Sequence, residues 1–351
     1  MTARTITAAE AAPRPAARRR PLGVRVTGLL IGLIALAVLV VASVALGSKT
    51  IPLDQVASAV LHPGHSDTDL VITALRIPRT ALALLVGAAL AVGGALIQAF
   101  TRNPLADPGI LGVNAGSALT VVVGIAFFGL TSVSQYLWLA LGGAAVATVL
   151  VWLIGTLGRR GATPVRMTLA GVGLTAVFGG VTSMISLASP RTLQAMIGWM
   201  AGSIVGAPLS TAGAIAPLVI LGLVIAGVIA RDLNAMALGD ELSAALGSRT
   251  AATRILAIVA VTLLAGSATA AAGPIGFVGL ACAHIVRSIV GPDHRLMLPG
   301  VLVTGPALLL SADLVGRVAV APSELQTGIA VAVLGGPLFI ALVRSRRLAA
   351  L

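Results

Sequence analysis

The sequence predicts an all-α polytopic membrane protein with about ten transmembrane helices. Hydrophobic residues make up 58% of the 351-residue chain and charged residues only 10%, and the mean hydropathy of +1.06 lies well above that of soluble domains. Apolar runs reach twenty residues or more, the length a helix needs to cross a bilayer core. The chain also carries 41 glycines and 18 prolines, and small residues let membrane helices approach closely enough for van der Waals contact to hold them. A β-barrel would instead show segments of about ten residues alternating apolar and polar.

The first 25 residues, MTARTITAAEAAPRPAARRRPLGVR, are basic and lack apolar periodicity, so they read as a disordered cytoplasmic tail preceding one transmembrane domain, 26–351. The run 26–46 is longer than the apolar region of a signal peptide, about 7 to 15 residues, and is read as a retained first span. Further spans are expected at 80–100, 109–129, 135–157, 166–188, 211–230, 253–272, 275–290, 296–316 and 326–343. Between the fifth and sixth, SPRTLQAMIGWMAGSIVGAPLS is too short in its apolar middle to cross and reads as a re-entrant or interfacial helix.

Alternating loop sides put eighteen of the 23 basic residues inside and five outside: Lys49, Arg76, Arg79, Arg191 and Arg317. That asymmetry is the one the positive-inside rule demands, with both termini cytoplasmic. Because the basic residues sit in short segments between apolar runs, the net charge of +12 does not point to nucleic acid. LLVGAALAVGG at 84–94 echoes LLAGSATAAAG at 263–273 on spans of opposite direction, as an inverted repeat would, with chance as the competing reading in so biased a composition.

Catalytic patterns are absent. There is no phosphate-binding loop, no H-E-x-x-H and no G-x-S-x-G. HPGHSDTD at 62–69 offers imidazoles and carboxylates, but a hydrated loop is preferred to a metal site, and no metal ligand is assigned. Cys282 stands alone within an apolar run and reads as a small buried hydrophobe. Asp313 with Arg317, and His284 near Arg287, are the ionisable groups closest to the membrane interior. All can pair locally or reach an interface, so no midspan carboxylate marks a proton relay.

MALGDELSAALGSR, 236–249, breaks the membrane-grade pattern. Leu238, Leu242, Ala245 and Leu246 share one helical stripe, with Asp240, Glu241 and Ser243 elsewhere. Upstream, RIPRTALALLVGAALAVGGALIQAFTRNPLADPGILGVNAG, 76–116, places Asn103-Pro104 and Asp107-Pro108 in a forced turn between two spans. This run resembles the FecCD family, permease subunits of bacterial ATP-binding cassette (ABC) importers for ferric siderophores, haem and cobalamin. The resemblance continues in ALGDELSAALG, in GPIGFVGLACAHIVRSIVGPDHRLMLPG, and in LLLSADLVGR followed by ELQTGIAVAVLGGPLFIALV. Two departures stand out: Ala283 and Gln326 occupy positions where family members commonly carry proline.

The resemblance implies a type II importer permease like those for cobalamin, working as a permease dimer with two ATPase subunits and an external binding protein in the bacterial cytoplasmic membrane. ATP and Mg would be used by the partner ATPase, with no cofactor on this chain and no enzymatic activity of its own. The segment 238–247 would be the coupling helix: Leu238, Leu242, Ala245 and Leu246 supply its apolar face, Gly239 and Gly247 end its turns, and Asp240 and Glu241 suit an anionic leaflet poorly. Arg76, Arg79 and Arg317 would face carboxylates on the binding protein as exposed pairs. The pore would form between two permease subunits, largely from the fifth span, here with Thr168, Thr175, Thr182, Ser183 and Ser186, the short helix after it and the tenth span, and the loop 158–163 would belong to the inner gate. The alternatives from other classes are an ion-coupled secondary transporter and an intramembrane enzyme.

Overall fold

A computed structural model describes residues 21–47, 50–62, 64, 66–157, 163–245, 250–320 and 323–344. The chain opens with α1 (Leu22–Ala45), followed by the short α2 (Leu53–Leu61) and α3 (Asp67–Leu70). A π-helical turn, Val71–Arg76, runs without a break into α4 (Ile77–Thr101). A 3₁₀ turn, Pro108–Leu111, then leads to α5 (Val113–Phe128) and α6 (Val133–Thr156). Next come α7 (Pro164–Leu187), α8 (Pro190–Met200), α9 (Leu209–Met236) and α10 (Asp240–Ala245). The chain closes with α11 (Thr250–Ala272), α12 (Val278–Val290), α13 (His294–Ala319) and α14 (Thr327–Arg344).

Helices occupy all ten expected span positions. Among the described residues seven helical segments are long and apolar enough to cross a membrane, while α5, α12 and α14 are shorter apolar helices. The expected second span is longer than its apolar run: Asp67–Thr101 is helical for 35 residues, because the capping box formed by Ser66 and Asp69 starts it early. Helix α1 begins at Leu22, so the last residues assigned to the tail are helical; residues 1–20 lie outside the described residues. The segment 189–210 forms α8, started by Ser189 and Pro190.

Helix α4 is the axis of the molecule. Its span is 83% buried, against 11% for α1 and for α7, and α13, α11, α9 and α12 surround it. Glycine makes that crowding possible. A Cβ at Gly87 would sit 2.7 Å from the Cα of Pro306 on α13, and one at Gly279 on α12 would sit 2.7 Å from the Cα of Gly94. No side chain fits there, so the backbones touch. Elsewhere hydroxyls bond across helices: Ser117 Oγ donates to the Ala140 carbonyl and Thr120 Oγ1 to that of Leu139, each at 2.8 Å, tying α5 to α6.

The proline-rich turn forms as expected. Helix α4 ends with Arg102 in the left-handed region at φ 50°, and the Asp107 side chain accepts from the Gly109 N–H at 2.9 Å to start the 3₁₀ turn. The two echoing segments fall mainly on α4 and α11, which pack side by side.

Candidate functional site

Three places collect the residues singled out by sequence. The first is the short surface segment after α9. Gly239 adopts φ +107°, a conformation costly for any residue with a Cβ, and this turn releases the chain into α10. The Ser243 N–H returns to the Gly239 carbonyl at 3.0 Å, and its side chain is buried. Leu238 and Leu242 do the opposite, each 59% exposed, with Ala245 exposed beside them. The helix starts two residues after the expected 238: Leu238 and Gly239 form its lead-in turn and Asp240 and Glu241 its first two positions, while Leu246 and Gly247 lie outside the described residues. Helix α10 packs against α9 and α11, both of which pack on α4.

The second place lies at the other end of α4, where the arginines expected to be exposed are buried. Arg76 and Arg79 are each 7% exposed and Arg317 2%. Asp313, read from the sequence only as a local partner for Arg317, accounts for the burial of Arg79 and Arg317. Fully buried, it accepts from Arg79 Nε at 3.0 Å and Nη2 at 2.7 Å, from Arg317 Nε at 2.9 Å, and from Thr327 Oγ1 at 3.0 Å. Arg317 Nη2 closes a further short contact with it. The remaining donors go to backbone and to the rim. Arg317 Nη1 reaches the carbonyls of Ser43 and Leu46, Arg76 Nη1 those of Val44 and Ala45, and Arg79 Nη1 reaches Glu324, whose side chain is about one-third exposed.

Desolvation explains the arrangement. A lone buried carboxylate or guanidinium costs several kcal/mol, and only a saturated set of charge-assisted bonds offsets that. The sequence showed the i,i+4 spacing of Asp313 and Arg317, which does pair. Nothing local showed that Arg79 would join them from another helix. His284 and Arg287, which the sequence left free to pair locally or reach an interface, share no hydrogen bond among the described residues; Arg287 donates to Gln98 Oε1 at 3.0 Å.

The third place is a cleft of about 440 Å³ between α7, α8 and α5. Thr175, Thr182, Ser183 and Ser186 of α7 line it, four of the five hydroxyls named from sequence, while Thr168 lies outside. Ser186 Oγ donates to the Thr182 carbonyl at 2.7 Å, whereas Thr182 Oγ1 has no partner. The opposite wall includes Met196, Ile197 and Met200 of α8, the short helix the resemblance put at the pore without naming its residues, and Asn114 of α5, which sequence reasoning missed; no described residue of α14, the expected tenth span, lines the cleft. The amphipathic pattern of TLQAMIGWM was the available signal. No lining residue is charged, so the cleft can pass or hold a ligand by shape and hydroxyl contact but not by ion pairing. Of the inner-gate loop, 158–162 lies outside the described residues. The stretch 62–69 keeps Ser66 Oγ and Asp69 within hydrogen-bond reach of each other, 2.7 Å apart.

The model of the FecCD transport family matches residues 35–345. The chain is 43% identical to the ferric enterobactin transport system permease protein of Escherichia coli (strain K12), over 92% of this chain and 96% of the relative. It is 39% identical to the iron(3+)-hydroxamate import system permease protein of Bacillus subtilis (strain 168), over 91% and 83%, and 36% identical to the cobalamin import system permease protein of Halobacterium salinarum, over 84% and 79%. A solved chain described as an inward-facing metal-chelate type ABC transporter superposes with a TM-score of 0.79 at 27% identity, covering 91% of this chain and 99% of its own.

Proposed function

The chain belongs to the FecCD transport family, and from that premise we propose that it carries ferric siderophores across the bacterial cytoplasmic membrane as the permease subunit of an ABC importer. The substrate assignment follows the relatives, whose names specify ferric enterobactin and iron(3+)-hydroxamate. A cobalamin chelate is the runner-up on the same ground, with haem beside it on the sequence resemblance alone.

The observation that carries the mechanism is the exposed leucine pair at α10, Leu238 in its lead-in turn and Leu242 on the helix. Two exposed apolar side chains, one on either side of the Gly239 turn on a short surface element, suit insertion into a groove of a soluble partner. In our reading that partner is the ATPase subunit, which binds ATP and Mg, and the segment lies on the cytoplasmic side with both termini. Movement of the ATPases shifts α10. Because α10 rests on α9 and α11, and these on α4, the shift reaches the bundle as rigid-body motion and exchanges outward for inward access of the α7–α8 cleft. Helix α7, largely uncovered along its length, then faces the second permease subunit across the pore.

Arg76, Arg79 and Arg317 support the outer surface on which the binding protein lands. To reach partner carboxylates directly they would have to abandon Asp313 and the end of α1, so Glu324 at the rim is the group placed to register docking. An ion-coupled secondary transporter is disfavoured by the same network: Asp313, the fully buried carboxylate among the described residues, is saturated by two guanidiniums and a hydroxyl.

Uptake into proteoliposomes holding the assembled transporter tests the reading. ATP inside, with a ferric siderophore and its binding protein outside, is expected to drive accumulation that an ionophore leaves intact. Accumulation without ATP that collapses with the ionophore would overturn it.

A further inference from the structure

A second cleft, of about 550 Å³, lies between α9 and α13 and has no part in the transport account. Val92 of α4 forms its floor, and Leu223, Gly227 and Leu302 line its walls, while Arg231 and Arg295 stand at one end. That end is fixed by Asn234: its Nδ2 donates to Asp293 Oδ1 at 2.7 Å and its Oδ1 accepts from the His294 N–H at 2.9 Å, joining the last turn of α9 to the first turn of α13.

The cleft is apolar along its length and cationic at one tip. From Leu223 to Arg231 the helix rises about 12 Å, enough for a substantial part of one acyl chain. Gly227 keeps the wall open, since a Cβ there would meet nothing within 4 Å. Both arginines are exposed, and neither has an ion-pair partner among the described residues. The nearby carboxylates do not cancel them: Asp232 and Asp293 are outside the lining, and Asp293 is occupied as a cap by Asn234 and the Arg295 N–H. A single arginine near a helix end can snorkel to any headgroup. Two on different helices flanking one apolar cleft converge on a single anion whose tail the cleft accepts.

We propose that this cleft binds one anionic phospholipid, its acyl chain along α9 and α13 and its phosphate between Arg231 and Arg295. The site braces α9, on which α10 rests, yet it stands or falls independently of the importer reading.

The test is to purify the assembled transporter in mild detergent, titrate it with phosphatidylglycerol or phosphatidylcholine of matched chains, and count retained lipid by native mass spectrometry. Wild type is expected to favour phosphatidylglycerol by about tenfold. Arg231→Gln with Arg295→Gln should erase the preference, and Gly227→Leu should release both lipids with the melting profile unchanged. Equal retention of the two lipids by wild type, or the same lipid count in all three proteins, overturns the proposal. So does a disulfide between two copies of Gly227→Cys, which would make the cleft a protein interface. Should Gly227→Leu not fold, the arginine pair decides alone.

Discussion

Arg79 and Asp313 are 234 residues apart in sequence, yet the Arg79 Nη2 lies 2.7 Å from Asp313 Oδ1 in the interior of the bundle. This contact joins the start of α4 to the end of α13, and Arg317 extends it to the end of α1.

Because two guanidiniums share one carboxylate, removing the acid should harm more than removing either base. Asp313→Ala is expected to cost about 3–5 kcal/mol by leaving buried Arg317 without a carboxylate and Arg79 with Glu324 at the rim alone, read as lost thermal stability in detergent. Combining it with Arg79→Leu should recover part of the loss. An additive double variant would show that the pair is not coupled.

The cleft offers a substitution that fills space without disturbing the fold. Gly179 lines it, and a Cβ there meets no neighbour within 4 Å. Gly179→Phe is expected to reduce uptake at least about tenfold, roughly 1.4 kcal/mol in barrier terms, with folding and ATPase association unchanged. Undiminished uptake would remove the cleft from the pathway.

Backbone contact along α4 predicts intolerance to size. Gly279→Leu drives a side chain against the Gly94 backbone and is expected to destabilise by at least about 1–3 kcal/mol. Gly142, with open space around its Cβ position, should accept Leu with little change in melting temperature, which serves as the control.

Asp107 gives a pH prediction. Burial raises its carboxyl above the ordinary carboxylate range, against a smaller lowering by the Gly109 N–H. The folded chain then holds this proton to higher pH than the unfolded chain. Its contribution is most favourable below the ordinary carboxylate value and falls as pH rises through the raised one. Asp107→Asn keeps the cap without the charge, so it should flatten that slope and be at least as stable as wild type at neutral pH. Asp107→Ala should lose about 1 kcal/mol with the cap. Parallel unfolding curves at pH 4 and pH 7 check both.

The ten span positions were legible because hydropathy over a long window is a one-dimensional property, and the short surface helix α10 because its stripe interrupts that property. Four cleft hydroxyls were legible for a similar reason, all lying on one helix. What stayed hidden depends on pairing between distant helices. Arg76, Arg79 and Arg317 look like exposed charges when loop side is the only guide, and their burial follows from Asp313 arriving through the packing of α13 on α4. The short helix α8 was expected beside the fifth span, but which of its side chains, Met196, Ile197 and Met200, would face the cleft was hidden, as was Asn114 from α5, since nothing local says which helix meets which.

The most direct measurement is affinity purification of the tagged chain from its native membrane, wild type against Leu242→Asp, with co-purifying proteins identified by mass spectrometry. Leu242 is exposed, so the variant should fold. The account predicts a nucleotide-binding ATPase recovered with wild type and lost or strongly depleted with Leu242→Asp, with the second permease subunit retained in both. Equal recovery of the ATPase in the two purifications, with unimpaired ATP-driven uptake by the variant, would contradict it.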